Sequence, residues 1–207
     1  SGLVLLLMLQ AYSARAASTV LTPSTALPAR LLYVDPAGSD TNDCLTSELP
    51  CATIGAAINK ATAGDGIQIA RGIYVENLTV GKDLELSGVG RDETIIDGGG
   101  IGRVFNINPG IFASIKGVTI RNGRVTRTGA GIFNAGTLSL GDSVVSANRI
   151  DGIDDAYGGG IANGGTLTVS NTMVMSNTIR SPNAFGGGIQ NGFGGNLTLI
   201  TSVVQQN

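Results

Sequence analysis

The chain has 207 residues with 32 glycines, 14% charged side chains and a formal net charge of −2. This length allows one ordinary domain with a sizeable core, and the near-neutral charge leaves no electrostatic footprint for a nucleic acid or an anionic membrane surface. The sequence contains no histidine, which excludes histidine-ligated zinc, histidine-based triads and histidine general bases within this segment.

The first 30 residues divide into two segments. Residues 3–9 are all apolar, and Ala14-Arg-Ala16 follows as a small-x-small cleavage pattern. A bilayer span takes about 20 apolar residues, so residues 1–17 are predicted to be a secretory signal peptide rather than a membrane helix or a buried strand. The chain opens at Ser1 without a basic n-region, so we expect the front of this signal to be missing. Residues 18–30, rich in Thr, Ser and Pro, predict a flexible leader.

The only two cysteines follow a predicted strand at 31–34. In an exported chain, Cys44 and Cys51 are expected to form a disulfide that closes a small loop. A metal site and a redox pair are weaker alternatives, because two thiols are too few ligands and the spacing is not Cys-x-x-Cys. Residues 52–61 are the one segment with helical periodicity, with Thr53 as its N-cap. We expect this helix to cap the first coil of a repeat structure.

Three similar copies of one pattern occupy residues 129–207. Each copy contains a Gly-x-Gly-Ile-x-Asn segment and then a Leu-x-Leu or Leu-x-Val segment, and its leucines Leu138, Leu167 and Leu197 are 29 and 30 residues apart. A fixed period in the twenties predicts stacked coils, and the short alternating segments predict three strands per coil. The sequence therefore predicts an all-β parallel solenoid, with less regular coils at 63–123.

Two features of these repeats predict corners and loops. Asparagines recur in two series, and because Asn tolerates left-handed backbone and bonds to neighbouring turns, we expect them to form structural ladders at corners. The series are Asn134, Asn163 and Asn191, and Asn148, Asn177 and Asn207. Residues 149–157 and 179–185 interrupt the regular coils. They are predicted to protrude as loops from one corner, a face on which repeat proteins often bind ligands.

The opening of the chain resembles a known family. Segments at 53–61, 63–69, 72–76, 84–90 and 94–98, including Gly-Ile-Tyr-Val-Glu at 72–76, resemble the start of right-handed parallel β-helix proteins of the pectin-lyase-like superfamily. The Gly-Gly-Gly-Ile-x-Asn repeats resemble those of bacterial surface proteins of the polymorphic outer-membrane type. The resemblance covers residues 33–207. It implies that 31–207 form a right-handed parallel β-helix with a short N-terminal capping helix.

The catalytic motifs of that superfamily do not carry over. The Gln and Asp motifs of pectin methylesterases do not follow residues 72–76, and the histidine motif of polygalacturonases is absent. Pectate lyases use clustered Asp residues to bind Ca²⁺. The best acidic cluster here is Asp151, Asp154 and Asp155, with Arg149 nearby, so these three aspartates are the candidate metal ligands; solvated loop carboxylates are the commoner alternative. No catalytic residue is assigned, and Ca²⁺ is the one cofactor considered.

Three functions stay open from the sequence. The first is a non-catalytic exported β-helix segment of a larger bacterial surface or secreted protein, which displays loops for adhesion or glycan contact. The alternative is the N-terminal part of a polysaccharide lyase or hydrolase of pectin-degrading type, with its active site in missing coils. The third is a structural spacer. The expected partner is a polysaccharide or a host-surface ligand, with no nucleic acid and no membrane span. Because the repeats stop at Asn207 without a cap, we expect truncation at the C-terminus and self-association of 18–207.

Overall fold

The computed structural model describes residues 28–192 and 194–207. The predicted signal peptide at 1–17 and residues 18–27 of the predicted leader lie outside the described residues. The described chain consists of 23 short strands and the helix α1 (Ile54–Lys60). Every strand pair is parallel, which confirms the all-β prediction.

The strands follow one another at short intervals along the chain. The first twelve are β1 (Leu31–Val34), β2 (Asp65–Ile69), β3 (Gly72–Val75), β4 (Leu78–Val80), β5 (Leu84–Gly88), β6 (Thr94–Asp97), β7 (Phe105–Ile107), β8 (Phe112–Lys116), β9 (Thr119–Arg121), β10 (Arg124–Val125), β11 (Ile132–Asn134) and β12 (Thr137–Gly141). The rest are β13 (Val144–Ser146), β14 (Arg149–Asp151), β15 (Asp155–Tyr157), β16 (Ile161–Asn163), β17 (Thr166–Ser170), β18 (Met173–Met175), β19 (Thr178–Arg180), β20 (Asn183–Phe185), β21 (Ile189–Asn191), β22 (Asn196–Ile200) and β23 (Val203–Gln205).

These strands stack into five parallel sheets that run along the molecule. Sheet A has the order β1-β2-β5-β8-β12-β17-β22, sheet B has β3-β6-β9-β13-β18-β23, and sheet C has β4-β7-β11-β16-β21. Two smaller sheets, D (β10-β14-β19) and E (β15-β20), lie between sheets B and C in the chain order of the later coils. One strand from each main sheet makes one coil. The chain is therefore a parallel β-solenoid of about five turns.

The core is built from rows of apolar side chains that repeat from coil to coil. Leu86, Ile115, Leu140 and Val169 occupy one register row of sheet A, and all four are fully buried. Alternate side chains of a strand point to opposite faces, so one face of each sheet fills the interior. Burial of each such side chain is worth about 1.5–3 kcal/mol. The repeated Leu-x-Leu segments thus set both the fold and its register.

The two predicted asparagine ladders are present. Each ladder joins adjacent coils by an amide that donates from Nδ2 to the Oδ1 of the next asparagine. The distances are 2.7 Å for Asn134 to Asn163, 2.6 Å for Asn163 to Asn191, and 2.9 Å each for Asn148 to Asn177 and Asn177 to Asn207. Since these amides are satisfied by one another and by main-chain groups, their role is structural.

The left-handed backbone at one of these corners does not belong to the ladder asparagines. It belongs to the residues just before them, namely Ala147 (φ 53°), Ser176 (φ 55°) and Gln206 (φ 53°). The expectation that the asparagines themselves adopt this conformation is therefore wrong for that series. The turn is made one residue earlier, and it directs the following amide into the interior, where Asn148 and Asn177 are fully buried.

The two interruptions at 149–157 and 179–185 are not free loops. Their first halves form β14 and β19, which extend sheet D from β10, and their second halves form β15 and β20, which pair as sheet E. The predicted protrusion of loops is thus wrong. The apolar side chains Val125, Ile150 and Ile179 share one register row, and Ile150, Ala130 and Ala156 form a second small core. Pairing and burial together keep these segments in strands.

The predicted helix is present as α1, which packs against strands β1, β2 and β4. The side-chain oxygen of Thr53 accepts from the Ala56 amide at 3.1 Å, and the Glu76 carboxylate accepts from the Ile54 and Gly55 amides at 2.8 Å each. These bonds satisfy donors that a helix N-terminus leaves open. Ile54 and its apolar neighbours on the same face are buried, and α1 contacts β1, β2 and β4. Glu76 of the Gly-Ile-Tyr-Val-Glu segment is therefore a helix-capping residue.

The predicted disulfide between Cys44 and Cys51 is present, and both residues are fully buried. The Cys44 carbonyl accepts from the Tyr33 amide at 2.8 Å, and the Cys51 amide donates to the Tyr33 carbonyl at 2.9 Å, so the closed loop is fastened to β1. Closure of so short a loop is worth about 2–3 kcal/mol in the loop-entropy account. Over 28–192 and 194–207, no helix is long and apolar enough to span a membrane.

The chain before β1 is already part of the folded unit at Ala29 and Arg30, which the sequence assigns to the leader. The Ala29 amide donates to the Gly64 carbonyl at 2.9 Å. The Arg30 guanidinium donates to the buried carboxylate of Asp65 at 2.6 Å and 3.1 Å. This ion pair lowers the pKa of Asp65 to about 2, since the hydrogen bond from Arg30 outweighs the effect of burial.

Candidate functional site

The outer face of sheet A carries a row of small hydroxyl side chains. Ser114, Ser139, Thr168 and Thr198 are register partners on β8, β12, β17 and β22. Each sits between two inward-facing apolar residues of its strand, as in Leu138-Ser139-Leu140. Because neighbouring strands lie about 4.8 Å apart, the four hydroxyls extend over about 14 Å along the solenoid. This row is called the hydroxyl strip below.

A groove of about 660 Å³ lies over β5, β8, β12 and β17 and contains part of the hydroxyl strip. Ser114 and Ser139 line its floor, and Pro28, the half-exposed Phe112 and Ser170 also line it. Small-molecule sites commonly have volumes of about 300–1,000 Å³. The groove is therefore large enough to hold a segment of a polymeric ligand.

The charges of the groove are fixed by local pairs. The Lys116 ammonium donates to Glu85 at 2.5 Å, the Asp83 carboxylate accepts from the Phe112 amide at 2.8 Å, and the Asp142 carboxylate accepts from the Asn171 amide group at 2.6 Å. Three lining carboxylates against one lining ammonium give a formal charge of −2. A groove with exposed hydroxyls, paired charges and a negative balance can exchange hydrogen bonds with the hydroxyl groups of an uncharged ligand.

Asp151, the first of the predicted metal ligands, lies at the end of β14 and forms ion pairs with two arginines. Its carboxylate accepts from Arg149 at 2.6 Å and from Arg124 at 2.7 Å. The hydrogen bond from Arg149, with a further one from Arg124, holds the pKa of Asp151 below its usual range. A metal ion at this carboxylate would have to compete with both guanidinium groups.

Asp154 and Asp155 have other surroundings. The Asp154 main-chain carbonyl accepts from the hydroxyl of Ser181. The Asp155 carboxylate accepts from the Tyr157 hydroxyl at 3.1 Å and from the Asn183 amide at 2.9 Å. Among the residues with described positions, no three Asp, Glu, Cys or His side chains are grouped so as to hold a metal ion. The structure therefore does not bring the three aspartates together, and Ca²⁺ binding stays a prediction.

The sequence gives a signal for only some of the groove residues. The alternating Leu-Ser-Leu and Leu-Thr-Val segments reveal outward-facing hydroxyls, which is a signal for the strip itself. Asp83, Glu85 and Phe112, however, come from the less regular early coils. Only the stacking of the coils, in which Glu85 lies opposite Ser114 and Phe112 opposite Thr137, brings them into one groove with Ser139.

Comparisons with known proteins agree with this fold. No protein-family model matches the sequence, and no curated protein is similar to it. Among solved structures, pectin methylesterase PemA from Erwinia chrysanthemi is similar, with a TM-score of 0.50 and 18% identity over 70% of this chain and 49% of the esterase. The chain shares the parallel β-solenoid fold of this esterase.

Two further solved structures are similar at lower scores. One is a pectin methylesterase in complex with a hexasaccharide, with a TM-score of 0.47 and 19% identity over 70% of this chain and 55% of that one. The other is a rhamnogalacturonan lyase, with a TM-score of 0.44 and 13% identity over 85% of this chain and 62% of that one. The chain spans about half the length of the pectin methylesterases it matches. At these identities the likeness concerns the fold.

Proposed function

We propose that this chain is the polysaccharide-binding portion of a polysaccharide-processing protein and that the ligand lies in the groove on sheet A. The observation that carries the proposal is the groove of about 660 Å³ with Ser114 and Ser139 of the hydroxyl strip on its floor. The names of the fold neighbours, a pectin methylesterase and a rhamnogalacturonan lyase, favour this alternative over the adhesion role. The adhesion role relies on loops at 149–157 and 179–185, and these segments are strands.

The groove favours a glycan without free carboxylates. Its formal charge of −2 comes from Asp83, Glu85 and Asp142 against Lys116. A like-charge pair about 4 Å apart costs about 1 kcal/mol even at the dielectric constant of water, which is about fivefold in Kd. A neutral glycan, or a galacturonan whose acids are esterified, avoids this cost. The ligand class is therefore an uncharged or esterified polysaccharide.

The proposal also covers the location of the protein, the handedness of its coils and the role of α1. The buried disulfide is typical of oxidising compartments, which supports an extracellular protein exported through the predicted signal peptide. We infer that the coils wind in a right-handed sense, as connections between parallel strands do in nearly all sheets. The burial of the apolar face of α1 against β1, β2 and β4 supports the same helix as the cap of the first coil.

The test is isothermal titration calorimetry with highly esterified galacturonan, de-esterified galacturonan and neutral galactan. Ser139→Gln places a longer side chain on the groove floor, and we expect it to weaken binding of the preferred ligand at least tenfold, or about 1.4 kcal/mol. Ser146→Gln is the matched control, because Ser146 has the same partial exposure on β13 of sheet B. Unchanged binding by Ser139→Gln, or tighter binding of the de-esterified polymer, contradicts the proposal.

A further inference from the structure

We propose that Arg103 closes the edge of sheet E that faces the first coils, and thereby prevents a strand of a second copy of this chain from adding to it. Sheet E is formed by β15 and β20, and a parallel bridge between Thr128 and Tyr157 extends it by one more segment towards the first coils. Residues 127–129 are therefore the edge. This edge is separate from the groove on sheet A and from the function proposed for that groove.

One main-chain carbonyl position along sheet E accepts a hydrogen bond from the coil before it. The Phe185 carbonyl accepts from the Gly158 amide, and the Tyr157 carbonyl accepts from the Gly129 amide, each at 2.9 Å. Thr128 holds the same register position in the edge segment. The described residues of the coil before it contribute no strand to sheet E. The Thr128 carbonyl therefore needs a donor from another source.

The side chain of Arg103 supplies that donor. Its Nη2 donates to the Thr128 carbonyl at 2.7 Å, and its Nε donates to the Gly129 carbonyl at 2.8 Å. A guanidinium group presents its N–H donors in one rigid plane, so one side chain can satisfy two neighbouring carbonyls at once. The guanidinium thus takes the place that the main chain of a further strand would occupy.

Two neighbours hold the guanidinium in this position. The Phe133 ring lies against it, with the Arg103 Cζ 5.0 Å from the ring centroid, which is within the range of a cation–π attraction. The Asn106 Oδ1 accepts from Nη1 at 3.2 Å, and the Asn106 amide group in turn donates to the Asn108 Oδ1 at 2.9 Å. All three guanidinium nitrogens of Arg103 therefore donate to defined acceptors.

Arg103 does not owe its place to an ion pair. None of the ion pairs among the described residues includes it, and because the side chain is half-buried, burial lowers its pKa. A charge that is taken out of water without a counter-ion costs free energy, and an apolar side chain would avoid that cost. The bonds to the two edge carbonyls are a contribution that an apolar residue could not make.

The consequence of these bonds is protection against strand addition. A strand edge with unpaired main-chain groups is a template for pairing with another chain, and proteins commonly cover such edges. With Arg103 in place, the Thr128 and Gly129 carbonyls are already satisfied. Without it, the edge presents two free acceptors, and in a purified sample the strands available to bind them come from other copies of the chain.

The test compares the 207-residue chain with its Arg103→Met variant, which keeps an unbranched side chain and removes the donors. The Gly129 and Tyr157 amides bond within the edge, and in the variant they should exchange hydrogen at least about tenfold faster because the edge opens locally. The amides of β12 in sheet A should exchange at an unchanged rate. Light scattering at equal concentration should give a mean mass at least about twice that of the original chain.

Two further variants separate the planar fork of donors from charge and from general stability. Arg103→Lys keeps a charge beside Phe133 but lacks the fork, so it should behave like Arg103→Met. Arg71→Met is the matched control, because the Arg71 side chain is 82% exposed and pairs with Glu93 at the surface, and it should behave like the original chain.

Four results would overturn the proposal. The first is unchanged exchange of the Gly129 and Tyr157 amides in Arg103→Met. The second is an equal acceleration in β12, since Arg103 would then only stabilise the whole fold. The third is an Arg103→Lys variant that matches the original chain, since the charge rather than the fork would then be responsible. The fourth is an unchanged mean mass of Arg103→Met, since the opened edge would then bind no second copy.

Discussion

Replacement of Asn177 by Ala tests how much the asparagine ladder contributes to stability. Asn177 is fully buried in the fourth-to-fifth coil corner. Its Oδ1 accepts from the main-chain and side-chain nitrogens of Asn148 at 3.1 Å and 2.9 Å. Its Nδ2 donates to the Val145 carbonyl at 3.0 Å and to Asn207 at 2.9 Å. Asn177→Ala removes all four of these bonds at once.

The loss in the free energy of unfolding depends on which polar groups Asn177→Ala leaves without a hydrogen-bond partner. The main-chain N–H of Asn148 is buried and loses the acceptor Asn177, and an unsatisfied buried donor costs about 1–3 kcal/mol. The side-chain nitrogen of Asn148 keeps its bond to the Ile120 carbonyl at 3.2 Å. The other lost bonds are worth about 0.5–1.5 kcal/mol each. We therefore expect a loss of at least about 3 kcal/mol, a large fraction of the 5–15 kcal/mol of an ordinary domain.

The assay is urea unfolding followed by far-ultraviolet circular dichroism, with the free energy of unfolding extrapolated to water. Asn59→Ala is the matched control, because Asn59 is exposed on α1 and such a surface change stays within about 0.5 kcal/mol. If Asn177→Ala unfolds within about 1 kcal/mol of the original chain, the ladder is not a major source of stability and the reasoning is refuted.

Three further predictions concern the ion pair, a close contact and the helix cap. Because the pKa of Asp65 is lowered to about 2, chiefly by the hydrogen bond from Arg30, the stabilisation from this pair is present above about pH 4 and lost as the pH falls towards 2. Arg30→Ala should therefore lower the free energy of unfolding at pH 7 and flatten the fall of the urea midpoint with acid. Gly165→Ala places a Cβ 2.0 Å from the Gly136 carbonyl oxygen, so the melting temperature should drop by an amount equivalent to about 2–4 kcal/mol. Glu76→Gln weakens the charge at the N-terminus of α1 and should raise hydrogen exchange of the Ile54 and Gly55 amides several-fold, at a cost of about 1 kcal/mol.

Two of these predictions have a control that changes the same residue type elsewhere. Gly90→Ala is the control for the close contact, since the nearest atom to its added Cβ lies 3.9 Å away, and equal melting of the two glycine variants would contradict the argument. Glu48→Gln on an exposed loop should leave exchange in α1 unchanged. An acid limb that is the same with and without Arg30 would show that Asp65 does not govern stability below pH 4.

The solenoid was predictable because its sequence repeats its register. Leu138, Leu167 and Leu197 fall in one row of sheet A, and the asparagines named from the sequence meet in two ladders. When equivalent positions recur at nearly constant spacing, each coil determines the position of the next. The helix was predictable as well, because Thr53 and the apolar face of 54–58 carry local signals.

The candidate sites depend on contacts that the sequence does not reveal. Residues 149–157 lack the repeat pattern, so their pairing as strands in sheets D and E was missed, and with it the stack of Tyr157 on Phe185. Asp151 was proposed as a metal ligand because of its acidic neighbours. Its arginine partner Arg124 is 27 residues earlier and is brought beside it only by the coil register.

A crystal structure of the chain soaked with an esterified hexagalacturonan tests the central claim most directly. The account predicts that the sugar lies over β5, β8, β12 and β17, with its hydroxyl groups bonded to Ser114 and Ser139. A hexasaccharide bound elsewhere while the groove on sheet A stays empty would contradict the proposed function.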